Sequence, residues 1–436
     1  MKTIAFIDTN HGRGHHLTYM RGFCKTMLEA GYRVFCFYPE PEAVREWLAE
    51  VCTASLDNFH PVTMPELKRH QIPIFGKLPA NFPVLGRVPQ PISVLARWNY
   101  AAEKVKAASQ NVGVEPDLVF FNWLDNYFSY YLNGAIVDRI FPYPWSGLYF
   151  RPGLLRFGER KLPLFGTPLN HWSVAEAERC QSLTLLDEYV VEDLKDKLDK
   201  PVLAFPDLTD ETPPDPNYEL ARKIREKAND RKIIGTVGSL SKRKGLLTLI
   251  EIANRSKDKD WLFIFAGRLS MEMFNQDFDS DFTDEYLTVK KLAEDPPENC
   301  FCHFDSIPDG AAFNAVIDAC DVLFSAYENF KYSSNVLTKS AVMKKPLIVS
   351  DGYCMEKRVK QFGMGLSVPE GDVDRCIEAL DRLLDPESPI SLPSDFESYR
   401  NLHSHARLEA LLKTVLGDEE LPPLTPSVAI PERAKH

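Results

Sequence analysis

Long apolar runs are missing from this 436-residue sequence. None approaches the roughly 18–20 residues a helix needs to cross a bilayer, so no transmembrane helix is expected. The opening MKTIAFIDTNHG is broken too soon by polar residues for a signal peptide, and reads as a short buried strand. Paired cysteine spacing is missing as well. The nine cysteines are odd in number and scattered, and Cys300 and Cys302 form only CxC. That excludes a zinc framework and fits reduced thiols in a cytoplasmic protein. A basic balance is also lacking. The formal net charge is −11, which argues against nucleic acid as the main partner. With hydrophobic residues at 44% and charged residues at 26%, the composition is globular and not that of a disordered chain.

Acid is absent over one segment. From Leu67 to Ala102 there is none, while Lys68, Arg69, Lys77, Arg87 and Arg97 stand among Pro, Phe, Val, Leu and Ile. Two readings are open. One is a long irregular loop packed on its own domain. The other, for residues 67–102, is peripheral contact with an anionic membrane or a hold on an apolar acceptor.

What is present is a repeated alternation. TIAFI (3–7) is followed by a polar, glycine-containing turn, then by Leu17, Met20, Phe23, Cys24, Met27 and Leu28 at helical spacing, then by RVFCF (33–37). This predicts a βαβ unit. DLVFFNW (117–123), WSGLYF (145–150) and PVLAFPD (201–207) extend it as strands. An acidic, proline-bearing stretch (208–231) reads as a linker containing a helix. A second alternation follows: IIGTVGSL (233–240), WLFIFAG (261–267), CFCHFDSI (300–307), DVLFSAY (321–327) and PLIVSD (346–351). The expected fold is α/β, with two doubly wound Rossmann-like domains facing across a cleft. The expected bounds are 1–210, 211–395, a single helix over 396–416 packing back on the first domain, and a mobile tail over 417–436.

The turns carry the chemistry. NHGRGHH follows a strand and precedes a helix, where glycines admit a ligand to the backbone and free amides meet an anion. A dinucleotide fingerprint would need a third glycine, but position 17 is Leu. In GSLSKRKG, Lys242, Arg243 and Lys244 sit at a strand end before a helix, the combination a diphosphate needs, though three solvated cations would look the same. Glu328 follows a buried strand and can accept hydrogen bonds from hydroxyls, as sugar recognition requires; a solvated loop acid is the plain alternative. Ser333, Ser334 or Asn335 can cap the helix expected near Val336. Asp125, in NWLDNYF, either lines an acceptor cleft or is a surface acid.

Together these turns resemble a nucleotide-sugar-dependent glycosyltransferase of the GT-B fold, closest to family 4, most strongly from about Ile233 to Leu384. The resemblance implies that Lys244 holds the donor diphosphate and that Glu328 meets the donor sugar as the first acid of an E-x7-E pair. It implies that the backbone at Ile307 meets the base, that Gly12 and Gly14 lie near the diphosphate, and that Arg151 stands where many relatives place a histidine. Two positions depart from the pattern. Ser239 replaces the phosphate arginine, with Lys242 or Arg243 as substitutes. Counting back from Pro346, Lys339 replaces the second acid, so it is expected to meet phosphate while Ser334 or Asn335 reaches ribose or sugar.

The implied function is transfer of a sugar from a nucleotide-diphosphate sugar to a glycan or lipid-linked acceptor, with donor on the second domain and acceptor on the first. Retention is favoured. His15 and His16 are candidate bases should the reaction invert, histidine having a suitable pKa. No metal and no cofactor are expected, because side chains and helix ends neutralise the leaving group; DFDSDFTDE (277–285) reads as a solvated acidic loop. The competing readings are a non-catalytic scaffold subunit and a sugar-nucleotide epimerase.

Overall fold

The computed structural model describes residues 1–10, 16–67, 89–128, 132–151, 160–161, 168–169, 172–269, 284–385 and 394–422. Two compact units divide the chain. The first runs from Met1 to Pro206 and resumes at Ser404; the second runs from Asp207 to His403.

In the first unit, β1 (Thr3–Ile7), β2 (Arg33–Tyr38), β3 (Phe59–Thr63), β4 (Leu118–Phe121), β5 (Trp145–Leu148), β8 (Cys180–Leu185) and β9 (Val202–Ala204) form a seven-stranded sheet. Its order is β3-β2-β1-β4-β5-β8-β9 and every pairing is parallel. A separate two-stranded ladder joins β6 (Arg160–Lys161) to β7 (Pro168–Leu169). In the second unit, β10 (Lys232–Val237), β11 (Trp261–Ala266), β12 (Cys300–His303), β13 (Val322–Ser325), β14 (Leu347–Ser350) and β15 (Gly365–Val368) pair in the order β12-β11-β10-β13-β14-β15. All of these are parallel too.

The strand sequences explain this. Parallel sheets are covered on both faces, so their strands are continuous apolar runs. TIAFI, LVFF and WLFIFA are buried at every position. In both units the strand order reverses direction beside the first strand, between β1 and β4 and between β10 and β13. Such sheets leave a crevice at that switch point, beyond the carboxyl ends of the strands.

Three differences from the sequence reading have physical causes. Residues 89–102 are not irregular loop; they begin the helix Pro89–Val112. Trp98 anchors it, fully buried against Phe121, Phe141 and Trp145, with its indole N–H donating to the Tyr127 carbonyl at 2.9 Å. Lys68, Arg69, Lys77 and Arg87 lie outside the described residues. The single helix expected over 396–416 is two, Phe396–Leu402 and His405–Val415. Ser404 divides them, its hydroxyl capping the second by accepting from the Arg407 amide at 3.2 Å. The strand β3 was not foreseen because Pro61 interrupts its pattern; at the sheet edge a proline is tolerated.

Candidate functional site

At the β10/β13 switch point, backbone approach comes first. Gly245 has φ +73°, and a Cβ there would stand 2.3 Å from the Ala326 carbonyl oxygen, so only glycine lets the turn after β10 close on the end of β13. Directly before it, Lys242–Lys244 form one 3₁₀ turn, and the helix Leu246–Arg255 starts directly after. The turn is zipped to the loop after β13 by the Glu328 amide, which donates to the Arg243 carbonyl at 2.8 Å. The Arg243 guanidinium lies 4.7 Å from the Phe330 ring centre and 5.6 Å from that of Tyr327. Lys242 is ion-paired with Glu285. Among the described residues no carboxylate pairs with Lys244, whose ammonium lies 5.8 Å from the Tyr327 ring centre.

Glu328 is half-buried. The Thr248 hydroxyl donates to it at 3.5 Å. Burial raises its pKa; Lys242 opposes that, while Glu370 and Glu285 add to it. Glu370, just past β15, accepts from the Asn329 amide at 2.7 Å. Asn329 adopts φ +48°, a left-handed conformation asparagine tolerates. The loops after β10, β13 and β15 thus bring the cations 242–244 together with Glu328 and Glu370 at one strand edge. Ser239 is exposed on the same turn, and Ile307 is half-buried on the loop after β12.

The helix entry departs from expectation. The helix Val336–Met343 begins at Asn335 with no side-chain cap bond. Ser333 is buried, donating to the Asp207 carboxylate and accepting from Arg358 Nη1 at 2.5 Å. Ser334 Oγ lies 3.3 Å from the Tyr327 hydroxyl. Lys339 does not present its charge to a phosphate position. It is 7% exposed and donates to the Asp210 carbonyl at 2.7 Å and to Asn314 Oδ1 at 2.5 Å. Burial pushes its ammonium down to about 8, against the pull of Asp210, Asp309 and Glu211.

The first unit's switch point is built differently. His16 Nδ1 lies 2.8 Å from the carboxylate of buried Asp8, which also accepts from the Asn10 amide and side chain at 2.9 Å each. The His16 ring lies 4.6 Å from that of Trp123, and Trp123 stacks on Phe150 at 4.3 Å. Asp125 is half-buried. Its carboxylate accepts the Phe150 and Arg151 amides at 2.9 Å each, pinning the end of β5. Burial raises its pKa, and those amides hold the rise in check. Arg151 is exposed beside it. Gly12, Gly14 and His15 lie outside the described residues, as does DFDSDFTDE up to position 283.

Sequence reasoning missed Asp8, Thr248, Glu370 and Arg358. Glu370 stands in the VPEGD turn that closes the second alternation; the others reach their partners only through the fold.

Two parallel Rossmann-like sheets give the chain the GT-B fold. Residues 217–407 match the model for glycosyl transferases group 1. Among solved structures, the chain is similar to a glycosyltransferase from Rickettsia africae at 13% identity and TM-score 0.60, covering 96% of this chain and 99% of that one. It is similar to HepE of Anabaena in complex with UDP and glucose at 12% identity and TM-score 0.61, covering 96% and 100%. It is also similar to sucrose-phosphate synthase from Thermosynechococcus elongatus at 16% identity and TM-score 0.59, again covering 96% and 100%. No curated protein matches the chain in sequence. Among the described residues, no helix is long and apolar enough to cross a membrane.

Proposed function

We propose that the chain moves a sugar from a nucleoside diphosphate sugar to an acceptor hydroxyl, with the donor on the second unit. One observation carries this reading: Lys244, without a carboxylate partner among the described residues, and half-buried Glu328 stand on two loops joined to each other at the switch point, within the residues that match the group 1 glycosyl transferase model. The lysine and the adjoining helix amides receive the diphosphate. The carboxylate accepts from sugar hydroxyls. These groups neutralise the leaving phosphate without a metal or cofactor. The family 4 resemblance supports retention, and the acceptor is a glycan or a lipid-linked chain drawn to the basic segment 67–102. Nine free cysteines support a cytoplasmic setting, peripheral to a membrane through that segment.

The His16–Asp8 pair favours a second stereochemical reading. An Asp-oriented imidazole offers its other nitrogen to an acceptor hydroxyl, the arrangement of a general base in an inverting reaction. NMR of the anomeric product decides between the two. The primary test is thermal shift with UDP-, GDP-, ADP- and TDP-sugars in EDTA. A melting temperature raised by one nucleotide family supports the donor site. No shift with any of them would sink it and favour a scaffold, with Ser239 and the inward Lys339 as the reason.

A further inference from the structure

Three side chains around the start of the helix Val336–Met343 are committed to one short stretch of chain. Ser333 donates to the Asp207 carboxylate, Thr338 Oγ1 donates to the Asp207 carbonyl at 2.7 Å, and Lys339 donates to the Asp210 carbonyl at 2.7 Å. Asn314 extends the grip, its amide nitrogen donating to the Thr212 carbonyl at 2.6 Å. Asp207 is the first residue of the second unit and His403 the last before the chain leaves it. The Asp207 amide donates to His403 Nδ1 at 2.9 Å. Both chain passages out of the second unit therefore start at one hydrogen bond, and the helix entry holds that bond's donor residue from two sides.

The segment 327–339 has a second end. There the Glu328 amide is bound to the Arg243 carbonyl on the cationic turn, and its carboxylate faces Thr248. Between the two ends Tyr327, Phe330 and Tyr332 pack in T-shaped pairs, with centroids 5.2 and 5.7 Å apart. Coupling between sites is carried by contiguous packed side chains and hydrogen bonds of this kind.

We propose that residues 327–339 couple the nucleotide site to the chain passage: nucleotide held by the turn 238–245 and Glu328 tightens the grip on residues 207–212, with Ser333, Thr338 and Lys339 as positioning residues. This rests on the donor-site reading above. It gives Lys339 a role suited to its chemistry. An ammonium can donate to two carbonyl-type oxygens at once, which the carboxylate of the group 1 pattern cannot do. Coupling is reciprocal, so loosening the grip weakens nucleotide by the factor with which nucleotide tightens the grip.

Hydrogen exchange on the full chain tests this, with the nucleoside diphosphate that raises the melting temperature. In the unsubstituted protein, amides of 240–245 and 326–332 gain protection, and those of 207–212 gain about tenfold with them. Thr338→Val removes one grip bond at a fully buried position that no nucleotide can touch, and should raise nucleotide Kd several-fold while keeping protection at 240–245. Lys339→Met should abolish the gain at 207–212. If 240–245 is protected while 207–212 exchanges unchanged in the unsubstituted protein, the coupling is wrong and the donor site stands. If no nucleoside diphosphate protects 240–245, both fall. The first comparison needs no variant, so misfolding of either one leaves the proposal open to refutation.

Discussion

The two sheets share a strand order around their switch points, yet the edges they present differ in kind. The second unit's edge is charged: three successive cations, of which Lys244 has no carboxylate partner among the described residues, lie on the turn bonded to the Glu328 loop, and Glu370 adds its charge beside Glu328. The first unit's edge is aromatic, with Trp123 stacked on Phe150 and His16 against it, and its two acids are occupied, Asp8 by His16 and Asn10, Asp125 by two backbone amides. Topology fixes where a ligand can sit, whereas the turn residues decide which ligand it is. A charged edge suits a diphosphate. An aromatic edge with one oriented imidazole suits a neutral hydroxyl-bearing acceptor.

That contrast can be broken at several points. The largest effect is expected from Lys244→Ala. Loss of a charge-assisted contact of about 1.5–3 kcal/mol should weaken nucleoside diphosphate and nucleotide sugar alike by about ten- to a hundredfold in calorimetry. Asp8→Asn, on the aromatic edge, should leave that Kd unchanged; an equal loss would abolish the division of labour. Glu328→Gln should spare nucleoside diphosphate Kd and lower turnover about tenfold, since a neutral amide accepts more weakly from sugar hydroxyls. Because burial raises the Glu328 pKa, turnover should fall on acidification at a pH above the usual carboxylate range. A pH–rate profile whose acid limb does not move in the Gln variant would reject this carboxylate as its source.

Smaller effects sharpen the picture of what is structural. Asp125→Ala leaves two amides without their acceptor and should cost the first unit about 1–3 kcal/mol in denaturant unfolding, with nucleotide affinity intact. His403 is buried and held neutral, its pKa lowered well below 6.5 by burial and by Arg358. The unfolded chain binds the proton first, so stability is fully present above about pH 6.5 and is lost as pH falls toward the folded-state value, by at most about 1.4 kcal/mol per pH unit. His403→Asn keeps an acceptor without titrating and should flatten that slope in thermal melts. The least change is expected from Ser239→Arg, which places a cation on the exposed turn and should tighten nucleotide only a few-fold.

The sheets were readable because fully buried strands announce themselves, as TIAFI and WLFIFA do. β3 and β8 were not, since FHPVT carries a proline and CQSLTL mixes polar residues into a buried strand. At the candidate site, the cations 242–244 and Glu328 drew attention by their places at strand ends, where a solvated surface charge would look the same. The fates of Ser333, Lys339 and Asp125 did not follow from the sequence. Each spends its side chain on a backbone or buried group distant in sequence, Lys339 on Asp210 and Asn314, Asp125 on the amides of Phe150 and Arg151. A local pattern reports that a polar side chain is present and leaves open which long-range partner takes it.

The helix His405–Val415 has a consequence for how the protein is made. Its first residue abuts Gly22, where a Cβ would meet the His405 ring at 3.1 Å, and just beyond the helix the Leu416 carbonyl accepts from Lys2 at 2.9 Å while Asp418 accepts from Tyr32 at 2.8 Å. Residues that precede the second unit are thus completed by residues translated only after it. While the whole second unit is being translated, the outer face of the helix His16–Glu29 lacks its cover. A nascent chain stalled before Ser404 therefore holds a first unit with an unsealed apolar flank, a substrate for chaperones, and the second unit must form as an insertion inside a domain still waiting to close.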